Sequence, residues 1–187
     1  MKTKILKLAT VLSAAALAVS LSNPAAAAGS ATATLNVSAS VSGSCTITGG
    51  TLDFGAYDPI TANSGTGADL TAPVTTGAIQ VNCLTGSPSV SISLGQGSHY
   101  SGGRRMVGTL VGNFMNYELY LPPSATPNTT CVYPIATAVW NTTNTLSPAD
   151  SVWNSSAQTF YVCGVVPKGQ TVAGDTYTDA VTATVNF

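Results

Sequence analysis

Only 7% of the 187 residues are charged, six lysines and arginines against seven carboxylates. So few cations exclude a nucleic-acid surface, which needs Lys and Arg clustered enough to neutralise phosphates. With 44% hydrophobic residues and an abundance of Thr, Ser and Asn, the composition points to strands whose outer faces are polar but uncharged.

Residues 1–28 read as a secretory signal peptide. Lys2, Lys4 and Lys7 form a basic start, Leu8 to Leu21 a mainly apolar stretch, and Pro24 precedes the small-residue site Ala26-Ala27-Ala28. The apolar stretch is too short to span a bilayer comfortably, and nothing after it is long and apolar enough to be a membrane helix. The exported chain then starts near Gly29, is soluble, and keeps roughly 159 residues, which suits one domain with a single core. Its cations are Arg104, Arg105 and Lys168; its carboxylates are Asp53, Asp58, Asp69, Glu118, Asp150, Asp175 and Asp179. Three against seven leaves a net charge of −4.

Period-two alternation, the mark of half-buried strands, then recurs along the chain. Ala31, Ala33, Leu35, Val37, Ala39 and Val41 alternate with Thr and Ser and with Asn36. No turn follows closely enough for a hairpin, so residues 29–40 read as an arm that places every second side chain in another molecule's groove. Ile79, Val81 and Cys83 form a strand, as do Val90, Ile92 and Leu94, and Met115, Tyr117, Leu119 and Leu121. Thr159 to Val166 is apolar on both sides, as in a central strand. The final stretch, Tyr177, Val181, Ala183, Val185 and Phe187 alternating with Thr178, Thr182, Thr184 and Asn186, reads as a strand running to residue 187. Its backbone edge calls for a partner. Turn clusters separate these runs, and no sustained 3.6-residue period follows the signal segment, so the chain is all-β and suits an immunoglobulin-like sandwich.

Cys45, Cys83, Cys131 and Cys163 are an even set in an exported chain, which favours disulfides. Three connectivities are open. A zinc site is disfavoured, because no CxxC occurs and His99 is the single histidine; no metal or other cofactor is called for. His99 lies in a glycine-rich turn without a G-x-S-x-G elbow, so no catalytic residue is assigned and the chain is not read as an enzyme. Arg104 and Arg105 read as strand residues pairing with local carboxylates or carbonyls. Tyr133, Trp140, Trp153 and Tyr161 are either core or a binding patch, to be decided by exposure.

Six ordered stretches carry a family resemblance: ATATLNVSASVSGSCTI (31–47), LDFGAYDP (52–59), IQVNC (79–83), GGRRM (102–106), MNYELY (115–120) and FYVCGVVPKGQTVAGDTYTDAVTATVNF (160–187). Together they resemble the spore coat U domain family, which includes subunits of archaic chaperone-usher pili of the Csu type. The resemblance implies an incomplete immunoglobulin-like β-sandwich over 41–187 that lacks its last strand, with a donor-strand arm at 29–40. A periplasmic chaperone, and then the arm of the next subunit, supplies the missing strand. On that reading Ala31, Ala33, Leu35, Val37 and Ala39 are the donor face. Tyr177, Val181, Ala183, Val185 and Phe187 are the acceptor edge, and Cys45 pairs with Cys83.

The chain departs from the family pattern between Leu121 and Phe160, in a longer segment that the second pair, Cys131 and Cys163, is expected to staple. The implied function is a pilus subunit exported through the periplasm to the cell surface, serving adhesion and biofilm formation. Its implied partners are neighbouring subunits, a chaperone and an outer-membrane usher. The alternatives are a structural protein of a spore or cyst coat and a binding module at a fibre tip.

Overall fold

The computed structural model describes residues 30, 32–87, 89–110 and 112–187. The expected signal segment, 1–28, and the first donor residue, Ala31, lie outside the described residues. The chain falls into two units, one up to Ala39 and one from Ser40 to Phe187.

In the first unit the described residues form neither strand nor helix, and Leu35 and Val37 are 84% and 85% exposed. Alternation there defines a face, but a face becomes a strand only when a ladder forms beside it.

The second unit is all-β. Its strands are β1 (Cys45–Gly49), β2 (Leu70–Thr71), β3 (Ala78–Cys83), β4 (Ser91–Leu94), β5 (Arg104–Gly108), β6 (Phe114–Tyr120), β7 (Gln158–Tyr161), β8 (Cys163–Val166), β9 (Tyr177–Thr178) and β10 (Ala183–Asn186). One 3-10 turn, Asp150–Val152, is the sole helical element among the described residues, and no helix there is long and apolar enough to cross a membrane. Every pairing is antiparallel: β1-β3-β7 form one sheet, β10-β4 a second, and β2-β8-β6-β5-β9 a third. The arrangement is an immunoglobulin-like sandwich. The alternation read from β3, β4 and β6 is the reason. Ile79 and Val81, Ile92 and Leu94, and Met115, Tyr117 and Leu119 all point into one core.

Two expected single strands are each broken in two. The run Thr159 to Val166 divides at Val162, so that β7 pairs with β3 while β8 lies between β2 and β6. A strand that changes sheets buries both of its faces in turn, which explains its unbroken apolar sequence. The run Tyr177 to Phe187 divides at 179–182: β9 pairs with β5, and β10 pairs with β4 and ends at Asn186.

The long segment 122–158 belongs to the core. Trp140 is fully buried and donates its indole N–H to Ile92 O at 2.9 Å; Leu146 and Trp153 are also buried, and Trp153 packs on Phe160. Burying side chains of this size contributes roughly 1.5 to 3 kcal/mol or more each, so the segment helps hold the sandwich together. Cys131 bonds Cys163 and anchors the segment to β8, while Cys45 bonds Cys83 across the β1–β3 ladder.

Candidate functional site: an open groove between the first and last strands

β1 and β10 each use one edge. β1 pairs with β3 from Cys45↔Cys83 to Gly49↔Ile79, and β10 with β4 from Ala183↔Leu94 to Asn186↔Ser91. No backbone hydrogen bond joins β1 to β10 among the described residues. The two run in opposite directions, because Gly43, just before β1, approaches Phe187, just after β10, whereas Gly49 and Gly50 share a cavity with Val181 and Ala183.

The far margins of β7 and β4 are covered. On β7, Thr159 O accepts from Asn128 N at 2.8 Å; on β4, Ile92 exchanges two backbone bonds of 2.8 and 2.9 Å with Leu146. An uncovered edge is an invitation to a further strand, and here two such edges face each other, close together at Gly43 and Phe187 and opening into a cavity at Gly49-Gly50 and Val181-Ala183.

The gap has an apolar floor. A cavity of about 360 Å³ lies between Gly49-Gly50 on one side and Val181 and Ala183 on the other, above Leu52, Phe54, Ile79, Leu94, Leu119 and Val162. A second cavity, of about 400 Å³, shares Leu52, Phe54, Met106 and Tyr177 with the first and continues to Leu70, Met115 and Val172. The half-buried state of Ile47, Leu52, Phe54, Met106, Tyr177, Val181, Ala183 and Val185 follows from this opening. They pack on the core below and lack a neighbour above.

Glycines set the depth. A Cβ on Gly164 of β8 would stand 2.8 Å from Leu52 Cδ2 and from Phe54 Cε1, and one on Gly77 would stand 2.5 Å from Leu52 Cδ1. Real Cβ atoms essentially never come so close, so a side chain at either position would displace Leu52, and at Gly164 the Phe54 ring as well. Gly77 also has φ +65°, which favours glycine independently. Phe54 then meets the Tyr117 ring edge-on, with centroids 6.1 Å apart.

One polar cluster interrupts the wall. Asp179 points inward with its side chain 2% exposed. Its Oδ2 accepts from Tyr117 OH at 2.6 Å, and its Oδ1 accepts from Ser98 N at 2.9 Å and lies 3.1 Å from His99 Nδ1. Burial, and then the Asp179 carboxylate, push the Tyr117 hydroxyl well above its ordinary range. At the far end Asp175 is held down to about 2, first by the Thr109 hydroxyl and then by the backbone N–H of Leu110. Arg104, 3% exposed, donates to Gly95 O at 3.0 and 2.6 Å and to Trp140 O at 2.7 Å, and pairs with Glu118.

The chain matches the model of the Spore Coat Protein U domain over residues 31–184. It belongs to that family. Protein U of Myxococcus xanthus is 36% identical to it over 158 residues, 79% of each chain. A solved structure similar to it is the pre-assembly complex of the chaperone CsuC with the tip adhesion subunit CsuE from the archaic chaperone-usher Csu pili of Acinetobacter baumannii. That likeness has 19% identity and a TM-score of 0.45; it covers 79% of this chain and spans 40% of the matched one.

In this Spore Coat Protein U domain the residues named from sequence for the acceptor edge are brought partly together. Tyr177, Val181 and Ala183 border the groove, Val185 is half-buried on β10, and Phe187 lies beyond β10 and is exposed. Of the donor face, Ala33, Leu35, Val37 and Ala39 are exposed. The arginines pair as read: Arg104 with Glu118 and carbonyls, Arg105 with His99 O at 3.0 Å and with the Phe114 ring, 4.2 Å from its centroid. Trp140 and Trp153 are core residues.

Sequence reading missed Leu52, Phe54 and Met106 as groove floor, because they lie on the loop after β1 and in β5, far apart in the chain. Asp179 was missed too, although its parity was a signal. It occupies the inward register of Tyr177, Val181 and Ala183, where a carboxylate needs a buried partner.

Proposed function

We propose that this protein is a structural subunit of a chaperone-usher pilus, exported through the periplasm to the cell surface, that polymerises by donor-strand exchange and serves adhesion and biofilm formation. The observation that carries this reading is the groove between β1 and β10, apolar in its floor and bordered by two unpaired edges. Its proposed occupant is the arm at 29–40 of a second copy, with Ala31, Ala33, Leu35, Val37 and Ala39 facing the floor. Moving Leu35 and Val37 from near-full exposure into that floor contributes roughly 1.5 to 3 kcal/mol each. Ladder bonds add about 1 kcal/mol apiece.

The direction of the inserted strand decides between a second copy and the arm's own body, and on this reading it is antiparallel to β10. β1 and β10 run in opposite directions, so an inserted strand is antiparallel to one and parallel to the other. Four residues, Val41 to Ser44, separate the arm from β1, whereas a parallel neighbour needs a crossover of about a dozen. An arm lying antiparallel to β10 must therefore come from another chain. Groove and arm being different surfaces of one molecule, the contact is head-to-tail and propagates as a fibre. Before assembly the groove requires a chaperone as cover, and release at the surface an usher. The family name supports a coat protein as the second reading; such a protein would assemble without a dedicated chaperone and usher.

The test is an unheated denaturing gel of the exported chain, made beside its chaperone, with and without residues 29–39. A ladder of multimers that collapses on boiling and requires the arm supports the reading. A single monomer band with the arm intact refutes it.

A further inference from the structure

The pairing of β10 with β4 raises a question of register. Val181, Ala183 and Val185 point in, and Thr182, Thr184 and Asn186 point out. A slip by two residues would exchange like for like on both faces, so the alternation alone does not select Ala183↔Leu94 over its neighbours. Asp179 breaks this degeneracy. It is the sole charged residue between Tyr177 and Phe187, and it is buried against donors on two other segments: Tyr117 OH on β6, and Ser98 N and His99 Nδ1 on the loop after β4.

The seat is shaped for it. A Cβ on Gly97 would lie 2.1 Å from Asp179 Oδ2, so the carboxylate fits only because that position is glycine. Ser98 N is shared with Ala180 O at 3.1 Å, and Ser98 Oγ donates to the same carbonyl at 3.2 Å, which fixes the backbone directly after Asp179. A two-residue slip would pull the carboxylate off all three contacts and drive it against apolar wall.

We infer that Asp179 is the register key of the groove: a positioning residue whose carboxylate, seated on Tyr117, Ser98 and His99, locks β10 onto β4 so that Val181, Ala183 and Val185 form one fixed acceptor edge. The run divides into β9 and β10 on either side of this seat, with Ala180 and Thr182 facing outward. The consequence for the groove rests on the pilin reading; the register itself does not.

The test is disulfide trapping in the full chain, with Ser93→Cys combined in turn with Thr182→Cys, Thr184→Cys or Asn186→Cys. Peptide mapping confirms that Cys45–Cys83 and Cys131–Cys163 remain paired. With Asp179 present, the 93–184 bridge dominates, matching Thr184↔Ser93. Asp179→Ala raises the ratio of slipped bridges (93–182 or 93–186) to the native one at least about tenfold, equivalent to about 1.4 kcal/mol. Asp179→Asn, which keeps an acceptor oxygen, leaves the ratio within about twofold of wild type on that scale. Tyr117→Phe removes one bond, keeps the ring in the core, and shifts the ratio in the same direction by less, which covers an Ala variant that fails to fold.

In the assembly assay the Asp179→Ala multimers come apart at a lower temperature than wild type. Bridges solely at 93–184 in both the Ala and the Phe variants overturn the inference. A wild-type chain that traps at 93–184 but forms no multimers leaves the register key standing and removes the pilin reading instead.

Discussion

Replacing Arg104 by Met tests how the long segment 122–158 is tied to the sandwich. The guanidinium is 3% exposed and links three parts of the chain: Gly95 O after β4, Trp140 O in the long segment, and Glu118 on β6. Methionine fills similar volume but leaves the Gly95 and Trp140 carbonyls without their donor. Hydrogen bonds to a charged group are worth about 1.5 to 3 kcal/mol each. Glu118, with its side chain 25% exposed, regains water and moderates the loss. The expected cost is about 3 to 5 kcal/mol, in the range for a broken buried pair, or a fall in Tm of roughly 6 to 20 °C at about 2 to 4 °C per kcal/mol.

Arg105 provides the control from the adjacent residue. It lies over Phe114 and donates once, to His99 O, so Arg105→Met costs about 1 kcal/mol. Thermal unfolding followed by the fluorescence of the buried Trp140 and Trp153, at equal assembly state for all chains, reads both. Equal losses in the two variants, or a loss under about 1 kcal/mol for Arg104→Met, would refute the reasoning.

Gly164→Ala places a Cβ where Leu52 and Phe54 lie; it should cost about 1 to 3 kcal/mol by overpacking and lower multimer stability by pushing both side chains into the groove, while unchanged multimers would show the floor to be more yielding than described. Asp58 and Asp175 are both held down to about 2, by Thr61 and Thr109 respectively. Because their folded values lie below the unfolded one of about 3.9, their stabilising contribution is full above pH 4 and is lost as pH falls towards 2. Carboxyl-carbon NMR titration should show both midpoints near 2, and midpoints near 4 would contradict the assignment. Tyr117 behaves in the opposite sense: its proton is retained in the fold after an unfolded tyrosine, near 10, has lost it. Stability should therefore decline as pH rises through 10, with the Tyr117 phenolate absorbing only on unfolding, and a midpoint near 10 in the folded chain would contradict the buried bond to Asp179.

The alternating runs in β3, β4 and β6 were legible because period two directly names the side chains that share a face, and those faces became the core. The two runs that change sheets were not legible as such. Val162 and the stretch 179–182 carry no glycine or proline, and the breaks follow distant partners: β3 against β2 and β6 at one, β5 against β4 at the other. The shared face of Tyr177, Val181 and Ala183, which borders the groove, was legible from the alternation of the last run. The floor of the groove was not, because Leu52, Phe54 and Met106 converge only in the fold, where Gly77 and Gly164 leave room for Leu52 and Phe54.

The central claim, that the groove between β1 and β10 is closed by another copy's arm, is tested most directly by amide hydrogen exchange on multimers. In assembled chains the amides of Cys45–Gly49 and Ala183–Asn186 that point away from β3 and β4 should exchange at least about tenfold more slowly than in chains lacking residues 29–39, as expected when a new ladder forms. Equal exchange at both strands with and without the arm would mean that something else, or nothing, fills the groove.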